Sequence, residues 1–207
     1  MEDMEKQSEN QMTEKDTGSV TEQQKNILSY LHDVVFGLAA VLLAFMLVFR
    51  VVVVSGPSMY QTLHDGDTLL LLSSTFCGAP KYGDIIVASK DSFKDGEPII
   101  KRVIATEGQK VDIDFHNGIV YVEDLPLEEP YTYTPTNLPE GITFPLTVEE
   151  GCVFVMGDNR NDSWDSRSNA IGLIDCREIL GKAFFLLLPG VDEQSGKRAF
   201  NRIGALW

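Results

Sequence analysis

Ser58 and Lys101 are the two residues of this chain whose types and surroundings best suit nucleophilic chemistry. Ser58 lies in a Gly-Pro-Ser-Met segment, four residues after Val54, where a long apolar run ends. A serine hydroxyl is a poor nucleophile until a base removes its proton, and a lysine that burial keeps neutral can be that base. Lys101 lies in the mostly apolar run 98–105, where a strand would give its amine apolar neighbours. A strand lysine without a catalytic role fits the same pattern, so the two residues are candidates for a nucleophile and its base.

Histidine is the alternative base, and the chain contains three histidines. His32 precedes the apolar run, and His116 lies in a predicted hairpin turn. His64 is only six residues from Ser58, but it lies in a predicted loop, where a solvated side chain is the ordinary state. The sequence therefore gives little support for a Ser-His-Asp triad.

A dense polar stretch, residues 157–167, directly follows the predicted strand 151–156. Its sequence is Gly-Asp-Asn-Arg-Asn-Asp-Ser-Trp-Asp-Ser-Arg, so acids, amides, hydroxyls and guanidinium groups alternate. Such a mixture suits a hydrogen-bond network in which every group is satisfied, with bidentate pairs between aspartate and arginine. A solvated loop is the alternative, but the position after a buried strand favours a network that braces a site.

The run before Ser58, residues 34–54, predicts a single membrane-spanning helix. It has 21 residues and one charge, Arg50, and at about 1.5 Å per residue it spans roughly 30 Å, the thickness of a bilayer core. A cleaved secretory signal would need a basic leader and small residues at the cleavage site. The leader here is acidic and valines continue up to Ser55, so we expect an uncleaved anchor.

Residues 1–33 predict a disordered tail, because the segment is mainly polar and its first 26 residues contain no aromatic side chain. Such a composition buries too little apolar surface to offset the entropy of the chain. Few basic residues flank the apolar run, so the positive-inside rule does not decide the orientation of the anchor.

From Ser55 onward the sequence predicts short strands rich in valine, isoleucine, leucine and phenylalanine and separated by turn residues. The turn Asn117-Gly118 closes a predicted hairpin. Residues 123–150 contain five prolines, which exclude central strands and predict an extended excursion over the surface. The predicted strands are 67–72, 84–89, 98–106, 110–114, 118–123, 151–156 and 182–188. The fold class is therefore mainly β.

The composition excludes some partners. A formal net charge of −14 and a pI of about 4.5 argue against nucleic acid, which requires a basic footprint, and against a basic lipid-binding patch. Cys77, Cys152 and Cys176 are far apart and form no CxxC pair, so no zinc site is expected. One disulfide with a free thiol and three free thiols fit the sequence equally.

Taken together, these motifs resemble the bacterial type I signal peptidases over about residues 34–189. The shared motifs are Ser-Met-x-x-Thr-Leu at 58–63, Gly-Asp-Ile at 83–85, Lys-Arg-Val at 101–103 and the highly specific stretch 157–167. Members of this family are membrane-anchored serine endopeptidases with a Ser-Lys dyad that remove signal peptides from exported preproteins. The resemblance implies a membrane-anchored, signal-peptidase-like antiparallel β domain preceded by a single transmembrane helix.

By this resemblance, Ser58 is the nucleophile, its backbone N–H helps to hold the oxyanion, and Lys101 is the general base. Ser163 is the serine whose hydroxyl orients the lysine, and Met59 lies beside the substrate cleft. The residues expected to support the site structurally are Arg102, Asp158, Asp165 and Arg167.

The resemblance also implies an organisation and a substrate class. Residues 1–33 are expected to be a cytoplasmic tail, residues 34–54 the span of the cell membrane, and residues 55–207 the extracytoplasmic catalytic domain. The expected partners are the lipid bilayer and exported preproteins with small side chains at the first and third positions before the cut. No cofactor or metal is implied, and no oligomeric state.

Two positions depart from the family's usual pattern. Gln61 stands where proline is usual, and Gly56 stands where some members place a serine that serves the oxyanion hole. An alternative function is that of a non-catalytic relative that serves surface-fibre assembly, which the presence of both Ser58 and Lys101 disfavours. A Ser-His signal peptidase would have histidine in place of Lys101, and a soluble self-cleaving repressor would have a DNA-binding region in place of the anchor.

Overall fold

The computed structural model of the chain describes residues 22–90, 93, 96–192 and 196–206. The chain divides into two compact units, Met1–Phe45 and Met46–Trp207. Helix α1, Glu22–Val48, accounts for all the described residues of the first unit. Within it, Lys25–Val48 has a mean hydropathy of 2.3 and is long and apolar enough to cross a membrane. Its apolar side chains are exposed, as the side chains of a helix surrounded by lipid are.

The bounds of this helix differ from the expected 34–54 at both ends. Residues 22–33, which we expected to be disordered, are helical, and residues 1–21 lie outside the described residues. At the other end the helix stops at Val48, and Phe49–Val53 form a strand that pairs antiparallel with Thr68–Ser73. β-branched residues fit a strand well when a partner edge is available, and here Thr68–Ser73 supplies that edge.

The second unit consists of two antiparallel sheets. The larger sheet has the order β1-β2-β11-β3-β4-β9-β10 with β12 paired to β11, and the smaller sheet has the order β7-β6-β5-β8. The strands are β1 Phe49–Val53, β2 Thr68–Ser73, β3 Ile85–Ala88, β4 Ile99–Thr106, β5 Lys110–Asp114, β6 Ile119–Val122, β7 Leu125–Pro126, β8 Leu146–Thr147, β9 Cys152–Met156, β10 Ile174–Asp175, β11 Ile179–Leu188 and β12 Gly204–Ala205. Two short 3₁₀ helices, Cys176–Glu178 and Phe200–Arg202, connect them. The expected mainly antiparallel β fold is therefore confirmed.

The predicted hairpin is present, because β5 and β6 pair antiparallel on either side of the Asn117-Gly118 turn. Gly118 adopts a positive φ of 71°, and a Cβ there would lie 2.5 Å from the Cβ of Pro135. The turn therefore requires glycine both for its backbone conformation and for its contact with the proline-rich excursion.

Candidate active site

The structure brings Ser58 and Lys101 into hydrogen-bond contact. The Nζ of Lys101 lies 2.8 Å from the Oγ of Ser58 and 3.0 Å from the carbonyl oxygen of Ile100. Lys101 extends from strand β4 and is only 4% exposed, whereas Ser58 lies in the serine loop, residues 54–67, which joins β1 to β2. Because burial disfavours a charged ammonium, this environment favours the neutral amine that a general base requires.

Main-chain hydrogen bonds fix the serine loop on both sides of the hydroxyl. The N–H of Asn159 donates to the carbonyl oxygen of Ser58 at 3.0 Å, and its side-chain amide donates to the carbonyl oxygen of Pro57 at 3.2 Å. The N–H of Leu63 donates to the carbonyl oxygen of Met59 at 2.8 Å. Met59 and Leu63 are 1% and 0% exposed and belong to the core beneath the larger sheet, so the loop is anchored at Ser58 and just after it.

The backbone N–H of Ser58 makes no hydrogen bond within the described part of the chain, so it is free to donate to an oxyanion. The two preceding residues do not provide a second donor. The N–H of Gly56 already donates to Asp65 Oδ1 at 2.7 Å, and Pro57 has no N–H.

A groove of about 750 Å³ runs beside the pair and is lined on one side by residues 52–59 and on the other by residues 97–101. Met59, expected beside the substrate cleft, is among the lining residues. Among the described residues, both sides carry open strand edges, because β1 is the terminal strand of the larger sheet and β9 pairs with β4 only from Arg102 onward. The edge of a strand offers backbone groups to a further strand, so an extended peptide can form main-chain hydrogen bonds here.

The polar stretch 157–167 forms the buried network that its composition predicts. Nε and Nη2 of Arg102 donate to the two carboxylate oxygens of Asp158 at 2.8 and 2.7 Å, and both residues are at most 1% exposed. The hydroxyl of Thr62 donates to the same carboxylate. Asp158 thus links the neighbour of Lys101 in strand β4 to the serine loop.

A second buried pair joins Asp165 and Arg167, both 0% exposed. Nε and Nη2 of Arg167 donate to the two carboxylate oxygens at 2.9 and 2.8 Å. Asp165 also accepts hydrogen bonds from the N–H of Gly157 at 3.0 Å and from the hydroxyl of Ser163 at 2.9 Å. One carboxylate therefore fixes the beginning, middle and end of the polar stretch.

Gly157 separates Ser163 from the serine loop with no room for a side chain. A Cβ at Gly157 would lie 2.2 Å from the Oγ of Ser163 and 2.5 Å from the carbonyl oxygen of Ser58. The hydroxyl of Ser163 is thus buried close to the backbone of Ser58, with its proton donated to Asp165. Its role in orienting Lys101 stays a prediction.

The proline-rich excursion, residues 123–150, packs against the polar stretch, a contact that sequence reasoning missed. Glu129 accepts hydrogen bonds from Nη1 and Nη2 of Arg160 at 2.8 and 2.5 Å, and Nη1 also donates to the hydroxyl of Thr136 at 2.9 Å. Arg160 is 1% exposed. The one sequence signal for this pairing was the presence of several acids in the excursion, which does not say which acid pairs with which arginine.

Two further side chains of the excursion cover the other guanidinium groups. The Tyr131 ring centroid lies 4.0 Å from Cζ of Arg102, and burial raises the pKa of its phenol. Glu140 Oε1 lies 3.2 Å from Nη2 of Arg167. Burial, together with the negative charge of Asp165, raises the pKa of Glu140 to about 7. The network therefore includes a carboxyl group that titrates near neutrality.

The remaining candidates lie apart from the Ser58–Lys101 pair. The ring of His64 packs against that of Tyr60 with centroids 5.1 Å apart, and in the described part of the chain no hydrogen bond joins its imidazole to Ser58. His116 lies in the hairpin turn, as expected. The three cysteines have free thiols, which corresponds to one of the two alternatives that the sequence left open.

The chain matches one family model and is similar to several known proteins. The family model for signal peptidase, peptidase S26, matches residues 27–188, a range that contains Ser58, Lys101 and the whole polar stretch. The probable signal peptidase I-1 of Synechocystis sp. is 38% identical over 164 residues, which cover 73% of this chain and 79% of that protein. Signal peptidase I of Bacillus amyloliquefaciens is 33% identical over 172 residues, with coverages of 79% and 86%. A crystal structure of a signal peptidase I from Enterococcus faecalis, 28% identical, covers 51% of this chain and 97% of its own with a TM-score of 0.43.

Proposed function

Because this chain belongs to the peptidase S26 family of signal peptidases, which are serine endopeptidases, we propose that it removes signal peptides with Ser58 as the nucleophile and Lys101 as the general base. The observation that carries this assignment is the 2.8 Å contact between the buried Lys101 Nζ and the Ser58 Oγ. The same contact disfavours a purely non-catalytic role in surface-fibre assembly, because such a role has no use for a paired hydroxyl and amine.

In the proposed first step, neutral Lys101 removes the proton of the Ser58 hydroxyl while its Oγ attacks the scissile carbonyl. The free N–H of Ser58 donates to the oxyanion that develops. Protonated Lys101 then gives its proton to the departing amine, which is the new N-terminus of the mature protein. The signal peptide remains attached to Ser58 as an ester.

In the proposed second step, neutral Lys101 removes a proton from a water molecule, which attacks the ester carbonyl. The ester bond breaks, Lys101 returns the proton to Ser58 Oγ, and the signal peptide leaves with a free carboxylate. The Arg102–Asp158 pair supports both steps, because it holds the residue after Lys101 against Thr62 of the serine loop.

We infer that the preprotein binds in the groove as an extended strand between the edge of β1 and the first residues of β4. The apolar side chains of Val52, Ile99 and Ile100 line this region and are suited to small apolar side chains before the cut. The preference for small residues at the first and third positions follows from the family resemblance.

The cleavage rate is expected to rise with pH, and the midpoint of this ascending limb should lie well below the ordinary lysine pKa of about 10.4. The reaction follows the neutral fraction of Lys101, and burial disfavours the charged form. The measurement is kcat/KM for a model preprotein across neutral and alkaline pH. Glu140→Gln, which removes the carboxyl with a pKa of about 7, and His64→Ala should both retain the limb. A limb at the unshifted lysine value, or its loss in His64→Ala, would contradict the proposal.

We propose that helix α1 crosses the cell membrane once, with the second unit on the extracytoplasmic side. The candidate span is Lys25–Val48, and the side is inferred from the reaction, since an exported signal peptide presents its cleavage site at the outer leaflet. Protease added to intact protoplasts should digest the second unit and spare an epitope fused before residue 1. Permeabilised protoplasts, in which both are digested, are the control. Protection of the second unit with loss of the epitope would reverse this topology.

A further inference from the structure

We propose that Trp164, supported by Phe93, forms an aromatic subsite in the groove that binds a large apolar side chain of the preprotein near the scissile bond. The inference rests on the proposed function, because its ligand is the peptide that Ser58 and Lys101 cleave. The subsite binds a residue of the peptide other than the first and third before the cut. Those two residues are small, and a small side chain covers little of an indole.

Trp164 is 63% exposed although both of its neighbours in the polar stretch are buried. Ser163 is 4% exposed and Asp165 is 0% exposed, and their mutual hydrogen bond is 2.9 Å long. The backbone that carries the indole is therefore fixed, while the indole itself faces solvent. A large aromatic side chain held in this way loses little conformational entropy on binding, which is why tryptophan is enriched at binding hot spots.

The indole lines the same groove as Ser58 and Lys101. Its ring centroid lies 6.0 Å from that of Phe93, with the ring planes inclined at 46°. Phe93 is only 7% exposed and belongs to the core cluster that includes Val155 of β9. The indole thus packs against a buried ring and has an exposed surface in the groove that contains Ser58.

The other lining residues indicate which side chain fits. Most of the groove is apolar, formed by valines of β1 and by Pro98, Ile99 and Ile100. Two carboxylates, those of Glu97 and Asp162, also line it, so an acidic side chain would be repelled. An aliphatic or aromatic side chain gains the most, because it covers the indole without losing hydration of a charge.

The test measures the preference of the full chain in detergent for peptides derived from one model preprotein. In these peptides, each residue near the cut is replaced in turn by leucine, serine or lysine. The first and third residues before the cut are left unchanged. At one position the wild type is expected to favour leucine over serine by about tenfold in kcat/KM, mainly through KM. Trp164→Ser should reduce this ratio to below about twofold, and Trp164→Phe should retain most of it.

Phe200→Ser is the matched control, because Phe200 is 60% exposed and does not line the groove. Its leucine-to-serine ratio should equal that of the wild type. A ratio that is the same in the wild type and Trp164→Ser at every position overturns the subsite. So does a preference for lysine that Trp164→Ser removes, because the site would then bind a cation.

A binding measurement separates this inference from the proposed function. Trp207→Phe leaves Trp164 as the one tryptophan of the chain, and Ser58→Ala in the same variant prevents cleavage. The leucine peptide should shift the emission of Trp164 to shorter wavelength, and an unchanged spectrum with peptide bound overturns the subsite. Continued cleavage by Ser58→Ala would instead overturn the nucleophile assignment, whereas the specificity ratio of Trp164→Ser does not depend on that result.

Discussion

Ser58→Ala and Lys101→Ala are each expected to abolish preprotein cleavage, with a loss of at least roughly 10⁴-fold in kcat. Ser58→Ala removes the atom that forms the ester, and Lys101→Ala removes the base that activates it. The fold should persist in Ser58→Ala, because the hydrogen bonds that hold the serine loop run through its backbone carbonyl oxygen and those of Pro57 and Met59.

The conservative variant Lys101→Arg should fail as well, because a guanidinium group does not lose its proton at usable pH. Lys101→Met keeps much of the volume of the buried side chain without an amine, so it separates the loss of the base from the loss of packing. Cleavage is followed with a model preprotein and purified full-length protein, and the fold by thermal unfolding. Cleavage near the wild-type rate in any Ser58 or Lys101 variant would show that the pair is not the catalytic dyad, and His64→Ala is the variant expected to remain active.

Arg167→Met is expected to lower the free energy of unfolding of the second unit by about 3–5 kcal/mol. Both partners of the Asp165–Arg167 pair are 0% exposed, so the substitution leaves a buried carboxylate without its guanidinium. Since small domains have stabilities of about 5–15 kcal/mol, this is a large share of the total. The loss should also reduce cleavage, because Asp165 fixes the N–H of Gly157 and the hydroxyl of Ser163.

The chain contains a matched control for this effect. Arg177 pairs with Asp175 at the same spacing of two residues and also through two guanidinium nitrogens, but its side chain is 90% exposed. Water replaces an exposed partner, so Arg177→Met should leave the unfolding midpoint nearly unchanged. Urea unfolding of both variants in detergent gives the comparison. Equal destabilisation by Arg167→Met and Arg177→Met would refute the argument from burial.

The sequence alone located seven of the twelve strands that the structure describes in the second unit. Every predicted strand is present with its ends within three residues, for example 110–114 as Lys110–Asp114 and 182–188 as Ile179–Leu188. Strand positions follow from local alternation and from turn residues, which are properties of neighbouring residues. The motif spacing likewise identified the family and named Ser58 and Lys101 before any contact was visible.

The end of helix α1 could not be located in this way. The valines of Phe49–Val53 continue the apolar composition of the helix, and β-branched side chains suit a strand as well as a lipid-facing helix. This segment forms a strand because it pairs with β2. Composition therefore indicated a span, but a tertiary contact determined where the helix ends.

The Asp165–Arg167 pair lies within the stretch for which the sequence predicted bidentate pairs, but the tertiary structure decided the partners that are distant in the sequence. Arg102 pairs with Asp158, which lies 56 residues away in the sequence. Arg160 pairs with Glu129, which lies in a segment that we expected to be a surface loop. The contact of Ser58 with Lys101 spans 43 residues and depends on the order of the strands in the larger sheet. Local patterns fix which segments become strands, but the distance between two side chains is set by how those strands pair, and that is a property of the whole fold.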